Sequence, residues 1–376
     1  MHVPVVDLHV CPMRTPSDVS AVRELFDAGD VDPRDVIALV GKTEGSGLGK
    51  DTGREMADRA LRALLAERLE VSTSEVGDHI CVILSGGTPG VITPHVAVVT
   101  RRYRHVESTR NDDGRLVAGL GHSSSILPEE VGRTGQIHKV ADAVRAAMSD
   151  AGITDPNDVH LVLVKGPSLT AEGIAGARSR GHDTVTADLS IGPEGAICYS
   201  NDASALGVAV ALDEIPESVI SDEVVRRDWG VYSDVAMTSS GGEKDHAEVL
   251  LFGNSTTAAG TLRIGHRSMT DILDADAVTG ALASAGMTVE GRPTSEQTAR
   301  IVYLLAKMII PGSDRLRGLR ITLQDDPMGY HVAKAMGGYL IASATGKTMC
   351  FVSGGERNSH QGPPEGNPLA AIVRMS

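Results

Sequence analysis

Two stretches of the chain repeat one order of apolar and polar positions. "AVRELFDAGDVDPRDVIALVGK" (Ala21–Lys42) and "AVRAAMSDAGITDPNDVHLVLVK" (Ala143–Lys165) each predict a helix closed by Ala-Gly, an Asp-Pro turn and an apolar strand ending on lysine. From Gly29 to Lys42, and again from Gly152 to Lys165, is 13 residues. A weaker third copy runs from "AVTGALASAG" (Ala277–Gly286) through a loop to "ARIVYLLAK", ending at Lys307. Its apolar run is compatible with a strand or a helix.

A second recurring piece follows each lysine. "HICVILSGGTPG" carries Ser85-Gly86-Gly87, "VAMTSSGGE" carries Ser240-Gly241-Gly242 and "TMCFVSGGE" carries Ser353-Gly354-Gly355. Between lysine and serine lie Ala-rich helical segments, at Arg54–Leu69, Ser204–Ile215 and Tyr330–Ser343. The lysine-to-serine separations are 43, 75 and 46 residues, so the middle copy holds an insertion at about 170–200. The pattern predicts an α/β protein of three homologous α/β repeats, 1–104, 105–250 and 251–376, around a pseudo-threefold axis. Strand-end residues then converge near that axis, where glycines permit close backbone approach.

Composition narrows the function. The 376 residues suffice for a sizeable core, but with 3% aromatics it must be built from Val, Leu, Ile and Ala. A net charge of −14 argues against nucleic-acid or anionic-membrane partners. No apolar run reaches the length of a membrane span. "MHVPVVDLHVCPMRTPSD" lacks the basic start and apolar centre of a secretory signal. The four cysteines, Cys11, Cys81, Cys198 and Cys350, have no CxxC spacing and fit reduced thiols in the cytoplasm.

Lysines before glycines raise the question of phosphate binding. Gly41-Lys42-Thr43 has the tail of a phosphate loop, but Val36 stands where its leading glycine belongs; Gly49-Lys50 has Glu44 there and Asp51 after it. Nucleotide binding is thereby disfavoured. A lone strand-end lysine is ordinarily a solvated charge, and Ser-Gly-Gly ordinarily a turn. Their threefold pairing points to one shared site instead. A lysine whose pKa is lowered by burial among other lysines can take a proton from serine, and the following backbone N–H groups can hold an oxyanion. Such a set suits acyl transfer on a flat ring with several carbonyls. No HxxxH or HExxH spacing occurs, so His95, His138, His331 and His360 are expected to be structural or surface residues.

Taken with "GKTEG", "SGGTPGVITPH", "SSILPEEVGRTGQIHKVADAV", "SALGVAVAL", "SSGGE", "IGHRSM" and "HQGPPEGNPLAAIV", the chain resembles the cyanuric acid hydrolase and barbiturase family of ring-opening cyclic amide hydrolases, over nearly its whole length. The resemblance implies the three-repeat "Toblerone" fold, a homotetramer, and three Lys/Ser pairs around one small cyclic amide. It implies Lys165 as base and Ser240 as nucleophile. Lys42, Ser85, Gly86, Asn201, Gly241, Lys307, Ser353 and Gly354 then bind substrate, with Arg54 and Arg320 as arginine contacts. Four departures stand out. Asn201-Asp202 replaces Arg-Gly, and Leu319 interrupts an arginine cluster. Ile309 replaces a cation-binding glutamate, and "GSGLGKDTGR" differs from the family's loop. No metal or cofactor is therefore expected beyond a doubtful structural cation. A ring other than cyanuric acid, such as barbituric acid, is favoured; the alternatives are cyanuric acid itself and a non-catalytic binder of a cyclic metabolite.

Overall fold

The computed structural model describes residues 2–45, 51–106 and 113–376. Residues 46–50, half of the divergent first-repeat loop, lie outside them. Unit 1 comprises β1 (His2–Pro12), α1 (Ser20–Asp27), β2 (Val36–Thr43), α2 (Gly53–Leu69), α3 (Thr73–His79), β3 (Cys81–Gly86) and β4 (His95–His105). Unit 2 comprises β5 (Arg115–His122), α4 (Thr134–Ala151), β6 (Val159–Pro167), α5 (Ala171–Ser179), α6 (Ala196–Ala211), β7 (Ala236–Gly241) and β8 (Glu248–Ser255). Unit 3 begins with β9 (Leu262–His266), α7 (Asp276–Ser284), α8 (Ser295–Arg300) and β10 (Ile301–Ile309). A short hairpin, β11 (Arg315–Leu316) and β12 (Leu319–Arg320), precedes α9 (Gly329–Thr345), β13 (Phe351–Gly355) and β14 (Leu369–Arg374).

The three units build the same sheet. The strand orders are β1-β4-β2-β3, β5-β8-β6-β7 and β9-β14-β10-β13. In each, the lysine strand pairs parallel with the serine strand and antiparallel with the last strand of its unit. The Asp-Pro turns are the same device twice: Asp32 and Asp155 each accept a backbone N–H two residues on, at 3.0 Å. Gly29 and Gly152, at φ 74° and 70°, follow the preceding helices in the left-handed region that favours glycine.

Two expectations change. The boundary at 250 falls inside β8, whose apolar run carries no turn signal, so unit 2 extends to Ser255. Helix α6 starts at Ala196 rather than Ser204. Its first half lacks an apolar period because Ser200, Asn201 and Asp202 are buried there with polar partners. The ambiguous third-copy run is a strand, β10. No described helix is long and apolar enough to cross a membrane.

Each four-stranded sheet packs on both faces. The outer faces pack under helices, while the inner faces meet in one central core that includes Leu8, Val40, Leu163, Phe252, Leu305 and Ile372. With so few aromatics, this core still takes Phe252, Phe351 and Tyr303. The buried Tyr303 hydroxyl is satisfied by His95 Nε2 at 2.8 Å, and His95 Nδ1 faces the Thr93 carbonyl at 2.7 Å. His95 is thus a structural residue.

A buried ion pair within unit 2 is hydrogen-bonded to the C-terminal loop of unit 3. Asp202 on α6 pairs with Arg226 and also accepts from the Ser359 hydroxyl and the His360 N–H of the C-terminal loop. Arg226 further donates to the Arg357 carbonyl at 3.3 Å. Removing one partner from a buried pair strands the other charge, at about 3–5 kcal/mol. Asp202→Asn is therefore expected to lower unfolding free energy by about that amount. Denaturant unfolding checks it; a loss below about 1 kcal/mol would show the pair to be dispensable.

Candidate active site

Strand alternation carries the lysines inward. Ala38 and Val40 on β2, Leu161 and Leu163 on β6, and Tyr303 and Leu305 on β10 face the central core. The next inward positions on those strands are Lys42, Lys165 and Lys307. All three are buried, and each ammonium is held below the ordinary lysine range, chiefly by burial. Lys307 is lowered to about 8. Lys42 also feels Lys334 and Lys307, and Lys307 feels Lys334 and Lys165, so the cations share one electrostatic environment.

The serine partners follow from register. Lys42 is opposite Ser85 and Lys307 opposite Ser353. Lys165, however, is opposite Ser239, and Ser240 is opposite Gly166. Alternation agrees, because Met237 faces the central core and Ser239 is the next position on that face. Ser240 turns instead toward α6, where its Oγ lies 2.9 Å from Ser200 Oγ and 2.8 Å from Asn201 Oδ1. The Ser200 hydroxyl donates to the Pro167 carbonyl, and Gln136 Nε2 donates to Ser200 Oγ. The register thus sets Ser239 opposite Lys165, where the sequence reading paired Lys165 with Ser240. Counting back from Gly-Gly selects the following serine, because unit 2 has a serine at both positions.

The lysines differ in what they touch. Lys42 Nζ donates to Ser85 Oγ at 2.9 Å and to the Gly86 carbonyl at 3.3 Å. Lys334 on α9 donates to that same carbonyl at 3.2 Å and lies 4.3 Å from the Tyr330 ring centroid. Burial lowers Lys334 to about 8. Lys307 Nζ reaches into unit 2 and donates to the Thr238 carbonyl at 2.7 Å. Lys165 Nζ forms an ion pair with Glu243 Oε1 at 2.9 Å. Burial alone would raise the Glu243 carboxyl; the adjacent Lys165 ammonium outweighs it and holds the group at about 2. Gly241 makes room for this contact, since a Cβ there would come within 2.0 Å of a Glu243 carboxylate oxygen. Gly354 packs against Tyr330 in the same way.

Arg54, in the first turn of α2, approaches the same Glu243 Oε1, at 4.0 Å. It lines a cavity of about 520 Å³ with Lys165, Glu243, Lys244 and Leu84, at the junction of units 1 and 2. Arg320 is not brought to the lysines. It sits on the exposed β11–β12 hairpin, 3.9 Å from Asp314, while Arg317 pairs with Asp271. The hairpin is a two-residue pairing whose strands are largely exposed, so nothing draws it inward.

Sequence reasoning missed Glu243, Lys334 and the Asp202–Arg226 pair. The signals existed: a glutamate follows Ser-Gly-Gly in two copies, at Glu243 and Glu356, and Lys334 interrupts the apolar face of an Ala-rich helix.

A family model described as amidohydrolase ring-opening protein matches residues 7–374. The chain is 51% identical over 371 residues to a cyclic amide hydrolase of Pseudofrankia inefficax, covering 99% of this chain and 95% of that protein. It is 42% identical over 364 residues to a cyanuric acid amidohydrolase of Bradyrhizobium diazoefficiens, covering 96% of each. A solved cyanuric acid hydrolase structure, described as evolutionary innovation by structural concatenation, matches with a TM-score of 0.91 at 39% identity, over 99% of this chain and 100% of that one.

Proposed function

The chain belongs to the ring-opening amidohydrolase family, and from that premise we propose that it opens a cyclic imide or ureide with Ser239 as nucleophile and Lys165 as base. The observation that carries this reading is the common register, a serine beside the inward lysine at the same place in three sheets. Neutral Lys165 takes the Ser239 proton as Oγ attacks a ring carbonyl. Backbone N–H groups after the serine hold the oxyanion. The ring C–N bond then breaks, Lys165 returns the proton to the departing nitrogen, and water hydrolyses the acyl enzyme. Lys42 with Ser85, and Lys307 with Ser353, bind and polarise other ring carbonyls, assisted by Arg54, Gly86, Gly241 and Gly354. No metal takes part.

Cyanuric acid is a poor substrate in this reading. A charge-assisted hydrogen bond to a carbonyl contributes about 1.5–3 kcal/mol. Asn201 supplies a neutral amide engaged with Ser240 where the family resemblance leads one to expect arginine. A ring of different edge pattern, such as barbituric acid, suits that side better. The 42% identical cyanuric acid amidohydrolase supports the second reading, cyanuric acid itself. One experiment addresses both nucleophile and ring: kcat/KM for cyanuric acid, barbituric acid and substituted analogues, on the wild type, Ser239→Ala and Ser240→Ala. Ser239→Ala is expected to lose several orders of magnitude in rate, and Ser240→Ala about tenfold or less. The opposite ranking restores Ser240 as nucleophile, and cyanuric acid leading by about tenfold defeats the substrate proposal.

The pH dependence has a definite sign. Lys165 must be neutral to act, so the rate rises with pH as it deprotonates. The Glu243 carboxylate favours the ammonium and opposes the lowering by burial. Glu243→Gln removes that support, and the acid limb of kcat/KM is expected to move to lower pH. An unchanged or higher limb would detach Glu243 from the base.

We also propose a homotetramer of the 39.3 kDa chain in the cytoplasm. The resemblance supports the assembly. Four free, buried cysteines support a reducing compartment, with burial pushing the Cys11 thiol up to about 11 and Cys198 and Cys350 up to about 12. Sedimentation equilibrium is expected to give four chains; a stable monomer or dimer rejects the assembly.

A further inference from the structure

The charged turn between β7 and β8 holds a second cluster of polar side chains, on the strand next to Lys165, whose cross-strand partner is Glu248. His122 closes β5 and lies directly opposite Glu248 in the antiparallel β5–β8 register. Cross-strand partners of this kind project to the same face of the sheet. His246 stands two residues before Glu248. One potential ligand atom from each of the three lies within 4.8 Å of the others. We propose that His122, His246 and Glu248 bind one divalent transition metal of the zinc class, as a tether rather than as part of the ring chemistry.

Three features support this donor set. His246 Nδ1 is held by Asp245 at 2.7 Å, and its Nε2 faces Glu248 Oε1 at 3.8 Å. A carboxylate behind an imidazole fixes its orientation and raises its basicity as a ligand. Glu248 is 3% exposed, and although Lys244 bonds its Oε1, its Oε2 has no hydrogen-bond partner among the described residues. A buried carboxylate oxygen left this way is costly, and a cation satisfies it. Last, the cluster opens on a surface cavity of about 530 Å³ that Ser74 and Gly77 of α3 also line, which gives an ion access.

The donor types select the ion. Two imidazole nitrogens and one carboxylate oxygen suit zinc, cobalt or nickel, whereas magnesium and calcium require more oxygen ligands. Zinc ligands at about 2.0–2.1 Å in tetrahedral array stand about 3.4 Å apart, so the 3.8 Å pair needs only a small closure. The ion would fasten the end of β5 to the turn that carries Glu243, and so steady the residue paired with Lys165. Sequence spacing hid this set because His122 lies far along the chain from the other two.

Isothermal titration of the chelator-stripped full-length protein with zinc sulfate tests the proposal. One ion per chain is expected, accompanied by a rise in Tm, with no comparable response to magnesium. His122→Ala and His246→Ala are each expected to weaken binding by about 100-fold, and Asp245→Asn by about 10- to 100-fold. His160→Ala, which breaks the separate His160–His266 pair, serves as the control and leaves binding unchanged. The exposed His122 makes its variant informative even should His246→Ala fail to fold. Ring opening by the stripped enzyme, with kcat retained, keeps this result distinct from the serine–lysine reading. Absence of stoichiometric binding, or binding that survives loss of both histidines, overturns the site.

Discussion

Burying ammonium groups at the end of an apolar core is the constraint around which this molecule is built. Strand alternation delivers Lys42, Lys165 and Lys307 to the inner face immediately after positions that pack the central core. Desolvation disfavours each charge, and neighbouring cations disfavour it further. The partners are accordingly few and specific: Ser85 and the Gly86 carbonyl for Lys42, the Thr238 carbonyl for Lys307, and Glu243 for Lys165. The same burial that makes these lysines expensive as cations makes them available as neutral bases near ordinary pH.

The arrangement is shared across the units. Lys307 of unit 3 donates to unit 2, Lys334 of unit 3 donates to unit 1, and Arg54 of unit 1 approaches the glutamate that pairs with Lys165 in unit 2. The inner sheet faces likewise find their apolar partners only in one another. Site and core therefore depend on the same three-way contact, and Asp202–Arg226 secures one of its seams from outside.

Much of this was legible in the chain. The helix–turn–strand repeat and the three lysines could be read because repetition separates signal from chance, and because alternation with period two fixes which way a strand residue faces. Which serine of unit 2 lies opposite Lys165 could not be read, for a physical reason. Ser239 and Ser240 both precede Gly-Gly, and only inter-strand register distinguishes them. Arg320 was assigned by analogy to a cluster, whereas its position is set by a short exposed hairpin that has no apolar face to bury. Glu243 is met by Lys165 of its own unit and Arg54 of unit 1, and Lys334 by the Gly86 carbonyl of unit 1; local signals mark both residues but not what they meet.

The near-symmetry of the three units makes their differences informative. Unit 1 bonds its lysine directly to its serine, and unit 3 sends its lysine to a neighbour's carbonyl. Among the described residues, unit 2 alone pairs its lysine with a carboxylate, follows one serine with another, and places a polar network of Gln136, Ser200 and Asn201 behind the second. Three equivalent lysine–serine pairs would hold a ring symmetrically without choosing which carbonyl to attack. A carboxylate beside one lysine breaks that equivalence electrostatically, because it changes the proton affinity of that base relative to the other two. The repeated strands thus turn three lysines to one inner face, and under the proposed reaction the carboxylate paired with Lys165 marks unit 2 as the wall that carries the chemistry.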